Sequence, residues 1–318
     1  MFQLKKISEI VVITANLKEM VETFCNYGGW THVFTKNLSR KKLNSWNLDE
    51  KISGKEALIQ FMEVEFGRIR FIEFAGIEQK TMRPASKLWD TGGILDIDLR
   101  MNDIHKVYHD LTNRGWSAAA EPMLLPNDVF VLDECLMTNA DGMMIALAQR
   151  YSPPLEIPKD KNFASHVYLS AMTVRNLAEG TDFFVNKLGF QLLNDCLKVK
   201  FPENSPNNFG IPHNSSEQYE IQLSMYSPDG TRDTMCECIE VKGLTGNDFS
   251  ENIELTNRGI LAYRIEVEGI EEYLEFVKSN GVSEKSALSN ETWEGIGNIK
   301  TFTICSPEGA WVTFFEKK

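Results

Sequence analysis

The chain has 318 residues, of which 42% are hydrophobic and 25% are charged. This composition is typical of folded globular proteins, and the length suffices for two ordinary domains. The 33 basic and 45 acidic residues give a net charge of −12, which repels phosphate backbones and anionic lipid head groups. The composition therefore argues against a nucleic-acid-binding or membrane-surface protein and favours a small-molecule partner.

The location expected from the sequence is the cytoplasm. The apolar run at 7–14 is short and lacks a cleavage pattern of small residues, and no later stretch approaches the roughly 18 apolar residues of a membrane span. The six cysteines include no CxxC pair and are few for this length. Reduced thiols are therefore expected rather than a disulfide framework.

The first predicted unit is a strand followed by a helix. The segment ISEIVVIT at 7–14 predicts the strand, and Gly28 and Gly29 end the helix. The apolar positions at helical spacing are Leu17, Met20, Val21 and Phe24. Three β-type segments follow, WTHVF, ALIQFMEVEF and IRFIEF, so the order of elements is βαβββ.

The same unit is clearest in the stretch GGILDIDLRMNDIHKVYHDLTNRGW. Asp96, Asp98 and Arg100 alternate with apolar residues, so they leave one face of a strand. The apolar stripe of the following helix consists of Ile104, Val107, Tyr108 and Leu111. Asp103 is the expected N-cap and Gly115 the expected C-terminal stop of this helix.

The unit occurs twice more, at 167–190 and 259–282, which predicts four modules. The segment IRFIEFAG resembles CECIEVKG, and NADGMMIALA resembles SPEGAWVTFF, so the modules form a duplicated pair. We therefore predict a first domain at 1–150, a Pro-rich linker at 151–162 and a second domain at 163–318.

These features resemble the glyoxalase, bleomycin-resistance and extradiol-dioxygenase superfamily, which has the vicinal oxygen chelate fold. The resemblance rests on the tandem modules, the NDI-type helix start, the RGW and LGF stops and the DG turn before a final strand. It implies an α+β fold in which four βαβββ modules are paired into two cup-shaped mixed β-sheet domains, with helices on the outside. We expect modules 1 and 2 to form one cup and modules 3 and 4 the other.

Enzymes of this superfamily hold a divalent metal in the cup, with ligands from the first and last strand of each paired module. The matching first-strand positions are Glu9, Asp96, Leu169 and Ala262, and the matching last-strand positions are Arg70, Ala146, Glu237 and Thr313. Only Glu9, Asp96 and Glu237 could ligate a cation, and an arginine beside carboxylates supplies the neutralising charge itself. We therefore expect no cofactor, with a divalent Fe, Mn, Ni or Zn ion at these three residues as the alternative.

A polar cluster in the first cup is the candidate active site. By strand alternation, Glu9, Arg70, Asp96, Asp98 and Arg100 project away from the helices. Crowded carboxylates raise a pKa and provide a general base, while an arginine can hold an anionic substrate or a developing enolate. We predict proton abstraction beside a carbonyl, with Glu9 or Asp96 as base, Arg70 as anion anchor, and Asp98 and Arg100 as substrate contacts. The alternative interpretation is a structural ion-pair network or a solvent-facing strand surface.

Four further residues are candidate substrate contacts. His32 lies on the strand after the first helix and is the histidine best placed to face the first cup, and Trp46 lies in the long charged stretch that follows. Arg83 and Trp89 lie in the connector MRPASKLWDTGG, which could close the edge of a cup. The chain contains no GxSxG, P-loop, GxGxxG or HExxH motif, so hydrolase, nucleotide-dependent and zincin functions have no local support.

Three hypotheses about function remain open. The first is a glyoxalase-like lyase or isomerase acting on a small carbonyl- or carboxylate-bearing metabolite. The second is a metal-free binding protein of the antibiotic-sequestering type, holding its ligand against aromatic rings such as Trp30, Trp46 and Trp89. In the third, the second domain is structural or mediates assembly. An extradiol dioxygenase is less favoured, because Glu237 is the second domain's one matching ligand. Either a monomer or a homodimer is expected.

Overall fold

The structure is a computed structural model that describes residues 1–27, 29–127 and 129–318. Its elements repeat the predicted order four times, with short extra elements in the long connections. Gly28, part of the predicted stop after the first helix, lies outside the described residues. Among the helices that the structure describes, none has the length and apolarity needed to cross a bilayer.

Each module consists of a strand, a helix and further strands. The first module comprises β1 (Gln3–Ile13), α1 (Leu17–Tyr27), β2 (Trp30–Asn37), α2 (Arg40–Ser45), β3 (Ser53–Phe61) and β4 (Arg68–Ala75). The second comprises β5 (Asp96–Arg100), α3 (Ile104–Thr112), β6 (Ser117–Ala118), β7 (Met123–Leu124), β8 (Val131–Thr138) and β9 (Met144–Ser152). The third comprises β10 (Leu169–Thr173), α4 (Leu177–Thr181), β11 (Gln191–Val199), β12 (Glu220–Ser227) and β13 (Met235–Lys242). The fourth comprises β14 (Gly259–Glu268), α5 (Ile270–Ser279), β15 (Glu284–Trp293), β16 (Gly297–Cys305) and β17 (Trp311–Lys317).

The helix signals read from the second module are confirmed. The Asp103 side chain accepts a hydrogen bond from the backbone N–H of Lys106 (2.9 Å) at the start of α3. Gly115 follows the helix with a φ of +88°, the left-handed conformation that glycine adopts at low cost. The apolar stripe is buried, so α3 packs firmly on its sheet.

The first sheet combines modules 1 and 4. Its strand order is β15-β16-β17-β14-β1-β4-β3-β2. The two modules meet where β1 and β14 run antiparallel, and Glu9 is paired with Arg264 in this register.

The second sheet combines modules 2 and 3. Its strand order is β11-β12-β13-β10-β5-β9-β8-β6, and β7 pairs with β8 beside this path. The two modules meet where β5 and β10 run antiparallel, with Asp98 opposite Leu169.

The predicted pairing of module 1 with 2 and module 3 with 4 is wrong. Each module leaves its first strand free at one edge, and any two such strands can form an antiparallel ladder, so strand alternation does not select the partner. The halves 1–150 and 163–318 instead give one module to each sheet, and 151–162 connects the halves. The linker therefore separates two pairs of modules in the sequence without separating two sheets.

The two faces of each sheet have different roles. On the helix side, Ile97 and Leu99 of β5 and Ile10 and Val12 of β1 belong to one continuous hydrophobic core that both sheets share. The opposite face of each sheet forms a cup. We call these faces cup 1/4 and cup 2/3, after the modules that form them.

Candidate active site

Cup 2/3 contains a cavity of about 400 Å³. Asp96, Asp98 and Arg100 of β5 line this cavity, whereas Ile97 and Leu99 between them pack against the helices. The strand alternation predicted for this stretch is therefore confirmed. A cavity of this size accommodates a small metabolite.

Four carboxyl groups line the cavity, from both modules. Asp96 and Asp98 come from β5, Glu134 from β8 and Glu237 from β13. Asp96, Asp98 and Glu237 are buried, with side chains no more than 6% exposed, and Glu134 is half-buried. In the described part of the chain, none of the four forms a salt bridge. The cavity thus concentrates acidic groups without compensating ion pairs.

Burial raises the pKa of each of these carboxyl groups, and repulsion from neighbouring carboxylates adds to the rise for Asp98, Glu134 and Glu237. Burial raises the pKa of Asp96 to about 6, and the N–H of Ala171 and the charge of Arg83 limit the rise. Burial and the charge of Asp96 raise the pKa of Glu134 to about 7. Burial, with repulsion from the other carboxylates, raises the pKa of Asp98 and of Glu237 well above the ordinary range. At neutral pH the cavity therefore holds both proton acceptors and proton donors.

Two of the carboxyl groups are held by hydrogen bonds. The backbone N–H of Ala171 donates to Oδ1 of Asp96 (3.1 Å), which fixes this carboxylate across the seam between modules 2 and 3. The Asn208 side chain donates to Oε2 of Glu134 (2.7 Å). Asn208 is buried and lies in the long segment between β11 and β12, so this connection contributes to the site.

Three arginines, Arg100, Arg150 and Arg232, also line the cavity. The guanidinium carbon of Arg100 lies 4.3 Å from the centroid of Tyr168, and that of Arg150 lies 4.3 Å from the centroid of Phe130. Arg232 donates to Oδ1 of Asn194 (2.8 Å). Within the residues that the structure describes, these arginines have no acidic partner. They are therefore available to an anionic ligand.

Cup 1/4 contains an ion-pair network around Glu9, which is fully buried. Arg70 binds both carboxylate oxygens (2.7 and 3.0 Å), and Arg264 (3.1 Å) and Arg68 (3.2 Å) approach the same group. Arg70 also donates to Glu56 (2.7 Å). Burial would raise the pKa of Glu9, but Arg70, Arg264 and Arg68 lower it to about 2. Glu9 is therefore ionised over the ordinary pH range, and three arginines already bind its carboxylate. This arrangement is typical of a structural ion pair and not of a catalytic base.

The prediction that Glu9, Arg70 and Asp96 share one cup is wrong, because module 1 pairs with module 4. Glu9 and Arg70 lie in cup 1/4, and Asp96, Asp98 and Arg100 lie together in cup 2/3. Strand alternation correctly placed all five on the cup faces, but the partner module decides which cup each residue enters.

The other residues predicted to contact the substrate do not lie together in one cavity. His32 is exposed and bonds to the Thr35 hydroxyl (2.8 Å). Trp46 lines a cavity in cup 1/4. Arg83 is buried and donates to the backbone carbonyls of Gly92 (2.5 Å) and Asp90 (2.8 Å), so it holds the connector in place.

Trp89 packs from the connector against the apolar cluster that forms part of the wall of cup 2/3. Its neighbour Leu88 lines the cavity, whereas Arg83 and Trp89, the predicted contacts, do not.

Glu134, Arg150, Arg232 and Asn208 are site residues that the sequence analysis did not single out. Glu134 had a readable signal, since it shares one face of its strand with Leu132 and Leu136 and all three line the cavity. Arg150 had the same signal, since it shares one face of β9 with Ala146 and Ala148, which also line the cavity. Arg232 and Asn208 lie in connections between strands, where alternation gives no direction.

The residues in the family's metal positions do not fit a divalent ion as they are arranged. In cup 1/4 the guanidinium of Arg70 already binds the Glu9 carboxylate, which a metal ion would need as a ligand. In cup 2/3 the matching positions hold Asp96 and Glu237 together with Ala146 and Leu169. In the three described ranges, no three His, Cys, Asp or Glu side chains are grouped so as to hold a metal ion.

Comparison with known proteins supports the recognised family. The model of the Glyoxalase/Bleomycin resistance protein/Dioxygenase superfamily matches residues 164–314, which contain modules 3 and 4. Among solved structures, glyoxalase I from Zea mays is 15% identical, with a TM-score of 0.65 over 99% of this chain and 93% of that chain. TnmS3, an antibiotic binding protein from Streptomyces sp. CB03234, is 17% identical, with a TM-score of 0.32 over 48% of this chain and 97% of that chain. A search of curated proteins found no match. The chain therefore has the fold of glyoxalase I over 99% of its length, and residues 164–314 match the model of the Glyoxalase/Bleomycin resistance protein/Dioxygenase superfamily.

Proposed function

We propose that the chain is a lyase or isomerase that moves a proton next to a carbonyl group, and that the reaction takes place in cup 2/3. The observation that carries this proposal is the set of four carboxyl groups around a cavity of about 400 Å³, of which three are buried and none forms a salt bridge in the described part of the chain. Carboxyl groups whose pKa values are raised and spread apart are suited to act as acid and base at neutral pH.

Asp96 is the proposed base. With a pKa of about 6, it is mostly ionised at pH 7 while remaining a far stronger base than an exposed aspartate. The hydrogen bond from the N–H of Ala171 fixes its carboxylate without neutralising it. Burial and the charge of Asp96 raise the pKa of its neighbour Asp98 well above the ordinary range, which makes Asp98 the proposed proton donor.

The proposed reaction begins when the Asp96 carboxylate takes a proton from the carbon beside the substrate's carbonyl group. Protonated Asp98 or Glu237 gives its proton to the carbonyl oxygen, so the product of this step is a neutral enol. Return of a proton to the other face or to the neighbouring carbon gives an epimer or an isomer. Loss of a leaving group from the carbon next to the enol, with return of the enol hydroxyl proton to the carboxylate of Asp98 or Glu237, restores the carbonyl group and gives elimination.

The arginines define the substrate class. Arg100, Arg150 and Arg232 line the same cavity as the carboxyl groups and lack acidic partners in the described part of the chain. A substrate that carries a carboxylate can bind these guanidinium groups while its carbonyl group reaches the acids. We therefore propose a small carbonyl compound with one anionic group.

A metal-free binding protein is the second candidate function. The apolar part of the cavity wall supports it, since Leu125, Leu197, Phe209, Leu223 and Met225 all line the cavity. Such a wall can hold a ligand without any chemistry. Under this alternative, apolar substitutions in the wall would matter more than carboxylate substitutions.

Hydrogen exchange in D₂O separates the two candidates. A panel of 2-hydroxy ketones, 2-oxo acids and 3-oxo acids is incubated with the protein, and proton NMR follows the signal beside each carbonyl group. We expect at least one compound to exchange faster than without protein, and Asp96→Asn to abolish the acceleration. Asp195→Asn is the matched control, because Asp195 is exposed on β11. Saturable binding of a panel compound without exchange would favour the binding protein.

A further inference from the structure

Cup 1/4 contains a second cavity, of about 570 Å³, which the proposed reaction does not use. It lies between the segment around α2 and strands β14, β15, β16 and β17. It shares no lining residue with the cavity of cup 2/3. The two cavities therefore form separate sites on different sheets.

Three tryptophans line this second cavity, and each has a cation beside its ring. The Nζ of Lys42 lies 4.9 Å from the centroid of Trp46, and Nζ of Lys285 lies 4.6 Å from the centroid of Trp311. The guanidinium carbon of Arg264 lies 3.8 Å from the centroid of Trp293. The wall of this cavity therefore presents flat aromatic rings with a positively charged group beside each ring.

The wall of the second cavity contains polar groups that are available for hydrogen bonds with a ligand. The indole Nε1 of Trp311 is buried and has no hydrogen-bond partner among the described residues. The Nε1 of Trp293, by contrast, donates to Glu291 (2.7 Å). The hydroxyls of Thr303 and Thr313 bond to each other (2.9 Å) on the same wall. A ligand oxygen can therefore find donors here.

The cations that line the cavity outnumber its carboxylates by three to two, which favours an anion. They are Lys42, Arg264 and Lys285 against Glu254 and Glu291, and Glu291 pairs with Lys42. Arg264 shares the carboxylate of Glu9 with Arg70 and Arg68, and its side chain makes no other hydrogen bond in the described part of the chain. Burial and the charge of Arg70 lower the pKa of Arg264. Lys285, at the exposed edge of the cavity, has no acidic partner within the three described ranges.

We propose that this cavity is a binding site for a small aromatic carboxylate. The aromatic ring packs against the tryptophans, the carboxylate faces Arg264 and Lys285, and the free N–H of Trp311 is satisfied by a ligand oxygen. This assignment does not depend on the proposed reaction, because it concerns different residues in the other cup.

Isothermal titration calorimetry with 2-naphthoate tests the proposal, with neutral 2-naphthamide as the matched ligand. We expect 2-naphthoate to bind at one site per chain and 2-naphthamide to bind at least tenfold more weakly. Lys285→Gln should weaken 2-naphthoate binding about fivefold, since it removes one of the two facing charges. Trp311→Phe keeps a ring but removes the N–H and should weaken binding by a similar factor.

The chain offers a matched control outside the cavity. Lys87 lies 5.5 Å from the Trp89 centroid, the same kind of pair on the connector, so Lys87→Gln should leave 2-naphthoate binding unchanged. Equal affinity for naphthoate and naphthamide, or no binding at millimolar concentration, would overturn the proposal. So would loss of naphthoate binding in Arg150→Gln with normal binding in Lys285→Gln, because the ligand would then occupy cup 2/3.

Discussion

The backbone N–H of Ala171 on β10 donates to Oδ1 of Asp96 on β5, at 3.1 Å. The two residues are on strands from different halves of the chain, and their bond crosses the seam that joins modules 2 and 3. The seam therefore positions the proposed base, and pairing of the modules is part of building the active site.

Asp96→Asn should lower kcat by about 100-fold or more, because general acid–base groups typically contribute that much. The amide can still accept the Ala171 hydrogen bond, so KM should change little. Steady-state kinetics with a compound identified by exchange provides the measurement. Asp195→Asn is the control, and a fall in kcat of the same size in both variants would point to a general effect of lost negative charge.

The pH dependence of kcat/KM should have two limbs. It should rise through about pH 6, as Asp96 becomes ionised, because the base must be unprotonated. It should fall again at higher pH as the proton donor, Asp98 or Glu237, loses its proton. A profile that is flat between pH 5 and 8 would contradict the roles assigned to these groups.

Glu134→Gln should make the protein more stable at high pH. Its pKa is raised from 4.5 to about 7 on folding, so its contribution to stability is present below pH 4.5 and is lost as the pH rises through about 7. Glutamine keeps an oxygen for Asn208 but cannot ionise. Urea unfolding should give the variant an advantage of about 2 kcal/mol at pH 8 and little at pH 4.5. An equal difference at both pH values would show that Glu134 does not titrate as described.

Glu9→Gln should have the opposite pH dependence. Folding lowers the pKa of Glu9 from 4.5 to about 2, so its stabilisation is present above pH 4.5 and is lost as the pH falls through about 2. Removing the carboxylate leaves buried Arg70 with Glu56 as its one remaining acidic partner, which should cost about 3 kcal/mol at pH 7. Urea unfolding at pH 7 and pH 3.5 should show the cost shrinking at the lower pH. The folded variant should retain exchange activity in cup 2/3.

Arg150→Gln should raise KM by about tenfold with little change in kcat, since the arginine binds the anionic group throughout the reaction. The wild-type KM should also rise with salt, and the variant should show a weaker salt effect. Arg175→Gln is the matched control, because Arg175 is exposed and pairs with Asp248 on the surface. A lower kcat at constant KM in Arg150→Gln would argue against a binding role.

The module and its orientation could be predicted from the sequence, because they depend on local periods. The alternation around Asp96 placed it on the cup face, and Asp103 and Gly115 marked the ends of α3. These signals act within a few residues, where hydrogen bonding and burial leave few alternatives.

The partner of each module could not be predicted, because it depends on contacts between distant residues. Glu9 and Arg264 are 255 positions apart, and their pairing across β1 and β14 became visible only in the sheet. The same limit hid Asn208, whose bond to Glu134 joins a long connection of module 3 to β8 of module 2. Of the five residues predicted to form one cluster, Asp96, Asp98 and Arg100 therefore lie in one cavity and Glu9 and Arg70 lie in the other cup, and the catalytic roles of these residues stay predictions.

The central claim is that cup 2/3 holds carboxyl groups that titrate near neutral pH. Carbon-13 NMR of protein labelled at the Asp and Glu carboxyl carbons, titrated from pH 3 to pH 9, measures this directly. We expect one resonance that titrates near pH 6 and is absent in Asp96→Asn, and another that titrates near pH 7 and is absent in Glu134→Gln. Titration of both groups below about pH 5 would contradict the central claim, because such carboxyl groups would be ordinary anions.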